Sequence, residues 1–271
     1  MATSLRTAFA DARASRVPAA IARPRVAAVV ALGWIEARKM LLHPTFWVSV
    51  GLCLLLVRGA AGGAGGGAGI RVNVPLLLAG LLVGLLFGTI LSANVAALRP
   101  RRDRMRELFG SVPSPPETRT VGLFVGLLLG PFLISLLFTV VGWWALTHIA
   151  DANINPEEVD WFLVVQVPLS VIALGALAIA VGRWFPSLFG GPVIIAAHLF
   201  TGLIWAVPWI MPRSSGIGPT WHLVYLAAAI TTWVALALAR DRSTVWRFAI
   251  GGGSLALGIV AAFQQAPPGG Y

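Results

Sequence analysis

The chain has 271 residues, of which 58% are hydrophobic and only 11% charged, with a mean hydropathy of +0.84 and a formal net charge of +10. A soluble domain carries about a quarter of its residues as charges, so the composition excludes one and points to an all-α polytopic membrane protein. Nineteen of the 20 basic residues are arginine and only Lys39 is lysine, a bias typical of a high-GC bacterial genome. It excludes a GxxxxGK[ST] phosphate loop for ATP and a retinal Schiff base on a late span.

Residues 1–24 spread Arg6, Arg13, Arg16 and Arg23 among alanine, serine and proline with no apolar core. They read as a disordered basic tail rather than a cleaved signal. From 25 to 43, Val26, Val30, Trp34 and Leu41 recur near helical spacing between polar positions that include Glu36, Arg38, Lys39 and His43. That pattern suits a helix lying in the membrane interface. Pro44 then breaks the chain and starts the first span.

The transmembrane domain is expected over 44–263, with spans near 44–61, 74–98, 120–148, 161–181, 188–211, 221–239 and 246–263, and a short tail at 264–271. The last run makes a seventh crossing. Cys53 lies inside the first span as a small core residue. The stretch Gly59–Gly69, GAAGGAGGGAG, is a flexible linker. Gly80, Gly84 and Gly88 in the second span, and Gly122, Gly126 and Gly130 in the third, recur every fourth residue. Such rows let a neighbouring backbone approach closely, either between these two spans or across a subunit interface.

The only long polar interruption inside the chain is Arg99 to Arg119, with Arg99, Arg101, Arg102, Arg104, Arg106 and Arg119, then Pro113, Pro115 and Pro116. A soluble partner can grip such a loop. The later loop DANINPEEVD gathers Asp151, Glu157, Glu158 and Asp160. Helix-start chemistry, with Asn155 before Pro156 and two acids in the first turn, accounts for it, and a metal site is the alternative. The fifth span carries Pro192 and Pro208 as expected kinks.

With the N-terminus in the cytosol, 17 basic residues fall on the inner side and only Arg58, Arg71 and Arg213 outside. Positive charge on the inner side is the strongest orientation rule. The net charge is then a topology signal with attraction to anionic lipids, and no nucleic-acid partner is required. Tryptophans cluster near the expected span ends, as an aromatic belt would place them. The C-terminus is outside with seven spans and inside with six.

Several chemistries lack their residues. Haem ligation needs facing histidines, and among His43, His148, His198 and His222 the sequence offers His198 no mate. No acid sits mid-span, although proton-coupled carriers usually place carboxylates there. Ser254 in the last run has no glycine elbow after it. Energy for any transport must therefore come from a partner.

The layout resembles the permease subunits of the type-2 class of ATP-binding-cassette exporters, particularly those of actinobacteria. The resemblance rests on Glu36-Ala-Arg38-Lys39 and Leu41-Leu-His-Pro-Thr-Phe-Trp47 leading into the first span, on Arg104-Met-Arg-Glu-Leu-Phe109 with Pro113, and on Arg119-Thr-Val-Gly122 opening the third. It implies an elbow helix containing Glu36, Arg38 and Lys39, and a coupling segment at Arg101, Arg102, Arg104, Arg106, Glu107, Leu108 and Phe109 that sits in a cleft of the ATPase. Arg99 and Arg119, at the span ends, anchor the helices to the inner membrane surface in this reading. It further implies a bacterial plasma-membrane permease without an ATP site or cofactor of its own, a separate ATPase subunit, and a second permease copy or homologue. The seventh run departs from the family's six-span core. A non-transporting structural or regulatory membrane subunit is the alternative, followed by a secondary carrier.

Overall fold

The computed structural model describes residues 26–62, 74–102, 115–148, 161–205, 218–241 and 243–265. Among them are helices only: α1 (Val26–Leu41), α2 (Pro44–Gly62), α3 (Val74–Arg102), α4 (Pro116–Leu127, then a π turn Leu128–Phe132, then Leu133–His148), α5 (Trp161–Trp184), α6 (Gly190–Trp205), α7 (Gly218–Asp241) and α8 (Val245–Gln264). Four stretches are long and apolar enough to cross a membrane: Glu117–Gly142, Val165–Trp184, Thr220–Asp241 and Val245–Gln264. Their outer faces carry exposed Leu137, Val140, Val141, Phe248, Leu255 and Phe263. Such a surface suits lipid, where a chain with its backbone bonds closed inside helices has nothing unsatisfied to expose.

The chain breaks where local chemistry dictates. Pro44 lacks an N–H and occupies the first position of α2, where none is needed, so α1 stops at Leu41 and α2 begins after two residues. Leu42 N–H donates to the Arg38 carbonyl at 2.9 Å and Phe46 N–H to that of His43 at 3.0 Å, closing the corner. At the head of α4, Pro116 fills the first position and Glu117 places its charge in the first turn. Midway along, Pro131 removes a backbone donor, and the helix widens into the π turn Leu128–Phe132. Ser135 Oγ donates to the Phe132 carbonyl just beyond it, at 2.8 Å.

Pro192, expected as a kink, sits instead in the first turn of α6, which begins at Gly190. Its missing N–H lies among the four that have no intrahelical partner in any helix, so the helix runs on unbent by it. Pro208 lies outside the described residues.

The core is built around α5. Val167, Val171, Leu174, Ala176, Ala178 and Ile179 are buried, against Leu85, Leu86, Ile90 and Ala93 of α3 and Leu123 and Leu127 of α4. Small residues set the separations. A Cβ on Gly175 would lie 2.5 Å from Leu127 Cδ1, and one on Gly182 would lie 3.0 Å from Ala97 Cβ. These two glycines, seven residues apart on one face, matter as much to packing as the rows singled out in the sequence.

Those rows find different partners from the expected ones. Gly88 of α3 faces α2, where an added Cβ would stand 3.0 Å from Phe46 Cα. Gly122, Gly126 and Gly130 of α4 face α1, meeting Leu32, Glu36 and Ala37 in turn, and Gly33 of α1 faces Val125. Gly88 and the row on α4 therefore do not face each other. Helix α1, expected to lie flat in the interface, runs beside the first half of α4 in the same direction, burying Val29, Gly33, Glu36, Ala37 and Met40. The reason is steric: a backbone stripped to glycine at every fourth residue accepts another backbone, and α1 offers Gly33 and Ala37 in return.

α7 and α8 form an antiparallel hairpin along their whole length. Ala228 meets Gly258 and Ala235 meets Gly251, and at the far end His222 Nδ1 lies 2.8 Å from Gln265 Oε1. At 1.5 Å per residue the 20 residues of α8 extend about 30 Å, the thickness of a bilayer core.

Candidate functional site

Five helices bring charged side chains to one end of the bundle, the C-terminal ends of α3, α5 and α7 and the N-terminal ends of α4 and α8, and Glu36 of α1, seated against Gly126 of α4, joins them through Arg99. Each carboxylate there is buried or half-buried, and an apolar setting tolerates that only with a cation in reach. Among the described residues three interhelical ion pairs result.

The first joins α1 to α3. Arg99 Nη1 donates to Glu36 Oε2 at 3.1 Å, and Nη2 reaches the Lys39 carbonyl at 3.5 Å. Lys39 Nζ stands 3.8 Å from the same carboxylate, but its side chain is half exposed, so this contact adds little. Beside them His43 Nδ1 lies 2.7 Å from Thr45 Oγ1. Partial burial, with the Arg99 guanidinium adding to it, pushes the His43 imidazole below its usual 6.5.

The other two pairs share helices. Arg183 of α5 donates to Asp241 of α7, and Thr120 of α4 donates its hydroxyl to the other oxygen of the same carboxylate. Arg247 of α8 donates Nη2 to Glu117 Oε1 of α4 at 3.1 Å and Nη1 to the Leu238 carbonyl near the end of α7 at 2.7 Å. One arginine thus holds a carboxylate on one helix and an orphan carbonyl on another, which no lysine point charge does as well. Together these contacts knot α4, α5, α7 and α8.

A polar clamp sits close by. Asn94 of α3, 1% exposed, donates Nδ2 to the carbonyls of Ser187 and Leu188 at 3.3 and 3.4 Å, pinning the α5–α6 turn. Gly182, Gly190 and Gly191 surround it, and a Cβ on Gly190 would stand 3.1 Å from Asn94 Oδ1. The turn is held to α3 because its three nearest residues have no side chains to keep it away.

The two knots flank the segment singled out in the sequence. Arg101 and Arg102 are the last residues of α3, while Arg104, Arg106, Glu107, Leu108 and Phe109 lie outside the described residues. Arg99 is just before that segment on α3 and Glu117 just after it on α4, so its entry is tied to α1 and its exit to α8.

The elbow residues divide. Arg38 and Lys39 are exposed, but Glu36, expected with them on the elbow helix, is 8% exposed and taken up by Arg99. Arg99 in turn, expected to anchor α3 to the membrane surface, is the counter-ion of that carboxylate. The correction has a plain cause: Glu36 shares a helix face with Gly33 and Ala37, and the fit of that face onto α4 buries it. Gly84 and Gly88 are buried, and Gly80 lies earlier on the same helix.

Asp241, Glu117, Arg183, Arg247 and Asn94 were missed in the sequence. The charged ones were visible only as span-end residues, and Asn94 only as a polar residue late in an apolar run. Among the described residues, no three His, Cys, Asp or Glu side chains come together as a metal site would require. Compared with family models, curated proteins and solved structures, the chain gives no match.

Proposed function

We propose that this chain is the membrane-spanning permease subunit of an ATP-binding-cassette exporter, moving a hydrophobic or amphipathic solute with energy from a separate ATPase subunit. Two such units, alike or different, would pair about a two-fold axis. The observation that carries the reading is the placement of the ion-pair knots on both sides of the loop between α3 and α4. A push on Arg101 to Phe109 would be delivered through Arg99 to α1 and through Glu117 and Thr120 to α5, α7 and α8. Coupling between distant sites needs such a chain of rigid elements joined by discrete contacts. In this reading the permease breaks no bond itself, and its part is to change the tilt of helices.

The test is association. Charge reversal at Arg101, Arg104 and Glu107 together should abolish co-purification with an ATP-binding-cassette ATPase subunit, and ATP-dependent export with it. A variant that holds its ATPase normally would show that the coupling segment lies elsewhere. A wild-type chain that binds no ATPase at all would favour the structural-subunit reading.

A further inference from the structure

We infer that a cleft between α5 and α7 at the charged end of the bundle binds one anionic phospholipid, with an acyl chain in the cleft and the phosphate against Arg240. The cleft has a volume of about 260 Å³ and is walled by Ala180, Val181, Trp184, Phe185, Trp233 and Leu236. All six are apolar or aromatic, so its occupant is hydrocarbon. The volume falls below the roughly 300–1,000 Å³ of sites that enclose a drug-sized molecule, which fits part of one chain rather than a whole solute.

Charge complementarity selects the headgroup. Trp184 is held by its indole N–H, which donates to the Leu236 carbonyl at 2.9 Å, and the Arg240 guanidinium stands 5.6 Å from the ring centroid. Arg240 is exposed, and among the described residues no carboxylate pairs with it: Asp241, next in the chain, is taken by Arg183. Arg242 follows in the sequence. The mouth of an apolar cleft is therefore marked by an uncompensated cation stacked on an aromatic ring, at the end of two helices of spanning length. Basic positions of this kind between spans recognise lipid phosphate. The aromatic rim, with Phe185 69% exposed, belongs at the level where headgroup meets chain.

The test uses the full chain, purified in detergent and freed of lipid, with retention of dioleoyl phosphatidylglycerol or dioleoyl phosphatidylcholine read by native mass spectrometry. Wild type should keep one phosphatidylglycerol in preference to phosphatidylcholine. Arg240→Gln should weaken phosphatidylglycerol binding about fivefold, the weight of one basic residue at an anionic surface, and leave phosphatidylcholine unchanged. Leu236→Phe, which fills the cleft, should weaken both. If it does not fold, Phe185→Ala at the exposed rim should do the same more mildly. Arg38→Gln, an exposed cation away from the cleft, should change nothing. The inference is overturned by equal retention of the two lipids, by equal losses in Arg240→Gln and Arg38→Gln, or by inorganic phosphate displacing the lipid, which would reduce the site to a phosphate contact at Arg240.

Discussion

Replacing Asp241 with asparagine keeps the volume of the side chain and removes its charge, leaving Arg183 facing an amide. The side chains of the pair are only 17% and 5% exposed, so the arginine would stay largely desolvated with the Asp241 charge lost. Breaking a fully buried pair costs about 3–5 kcal/mol and an exposed one about 0–1 kcal/mol. At the rim of the bundle, with the Thr120 hydrogen bond also weakened, Asp241→Asn should cost about 2–3 kcal/mol. For a domain of this size that corresponds to a drop in Tm of roughly 5–10 °C. Thermal unfolding in detergent, followed by the fluorescence of the 11 tryptophans, can report it. Lys39→Gln serves as the contrast, because the half-exposed Lys39 should lose almost nothing. The double variant Arg183→Gln/Asp241→Asn should lose less than the sum of the two single variants, since the pair is lost only once. Equal Tm values for Asp241→Asn and Lys39→Gln would refute the claim that this pair holds α5 to α7.

Two further outcomes follow from the packing and from His43. Gly126→Ala places a methyl 2.9 Å from Glu36 Cβ and 3.0 Å from the Ala37 backbone nitrogen, so α1 must move off α4, at a cost of about 1–3 kcal/mol. Gly252→Ala on α8 meets nothing within 4 Å and should be neutral or stabilise by up to about 1 kcal/mol, and the same unfolding assay separates the two. His43 should titrate below 6.5 by NMR of ring-labelled protein, because burial first and Arg99 second disfavour its charged form. The unfolded state then binds the proton more readily, so stability is full above the unfolded pKa and falls as the pH drops from about 6.5 toward the lower folded value. A His43 midpoint at or above 6.5 contradicts the burial seen at the α1–α2 corner.

Much of the fold was legible locally. Pro44 marks the break between α1 and α2, since a ring without an N–H belongs in the first turn of a helix, and Pro116, read in the sequence as part of the polar loop, opens α4 for the same reason. The apolar run from Trp246 becomes the spanning-length helix α8. Pro131 was equally visible, yet the third span was read as uninterrupted, and the π turn there depends on how the surrounding helices hold the chain on either side of the proline. Pro192 shows the reverse case, a residue expected to kink a helix that instead sits at its start.

The charged site was legible as composition and not as pairing. Arginines at span ends are a property of each segment on its own, set by where a charge can stay hydrated, so their gathering at one end followed from the order of spans. Which carboxylate each one meets is a question of distance between segments: 63 residues separate Glu36 from Arg99 and 130 separate Glu117 from Arg247. The same holds for the glycine rows. Their period declares a face open to close approach, but only the assembled bundle decides that α1 takes the row on α4 and that α2 meets Gly88 of α3. Sequence alone therefore determined the helical, membrane-suited character of the chain and its charge asymmetry, because hydropathy and proline act within a turn or two. Tertiary structure decided the partners, because burial of Glu36 or Asp241 exists only once another helix has covered it.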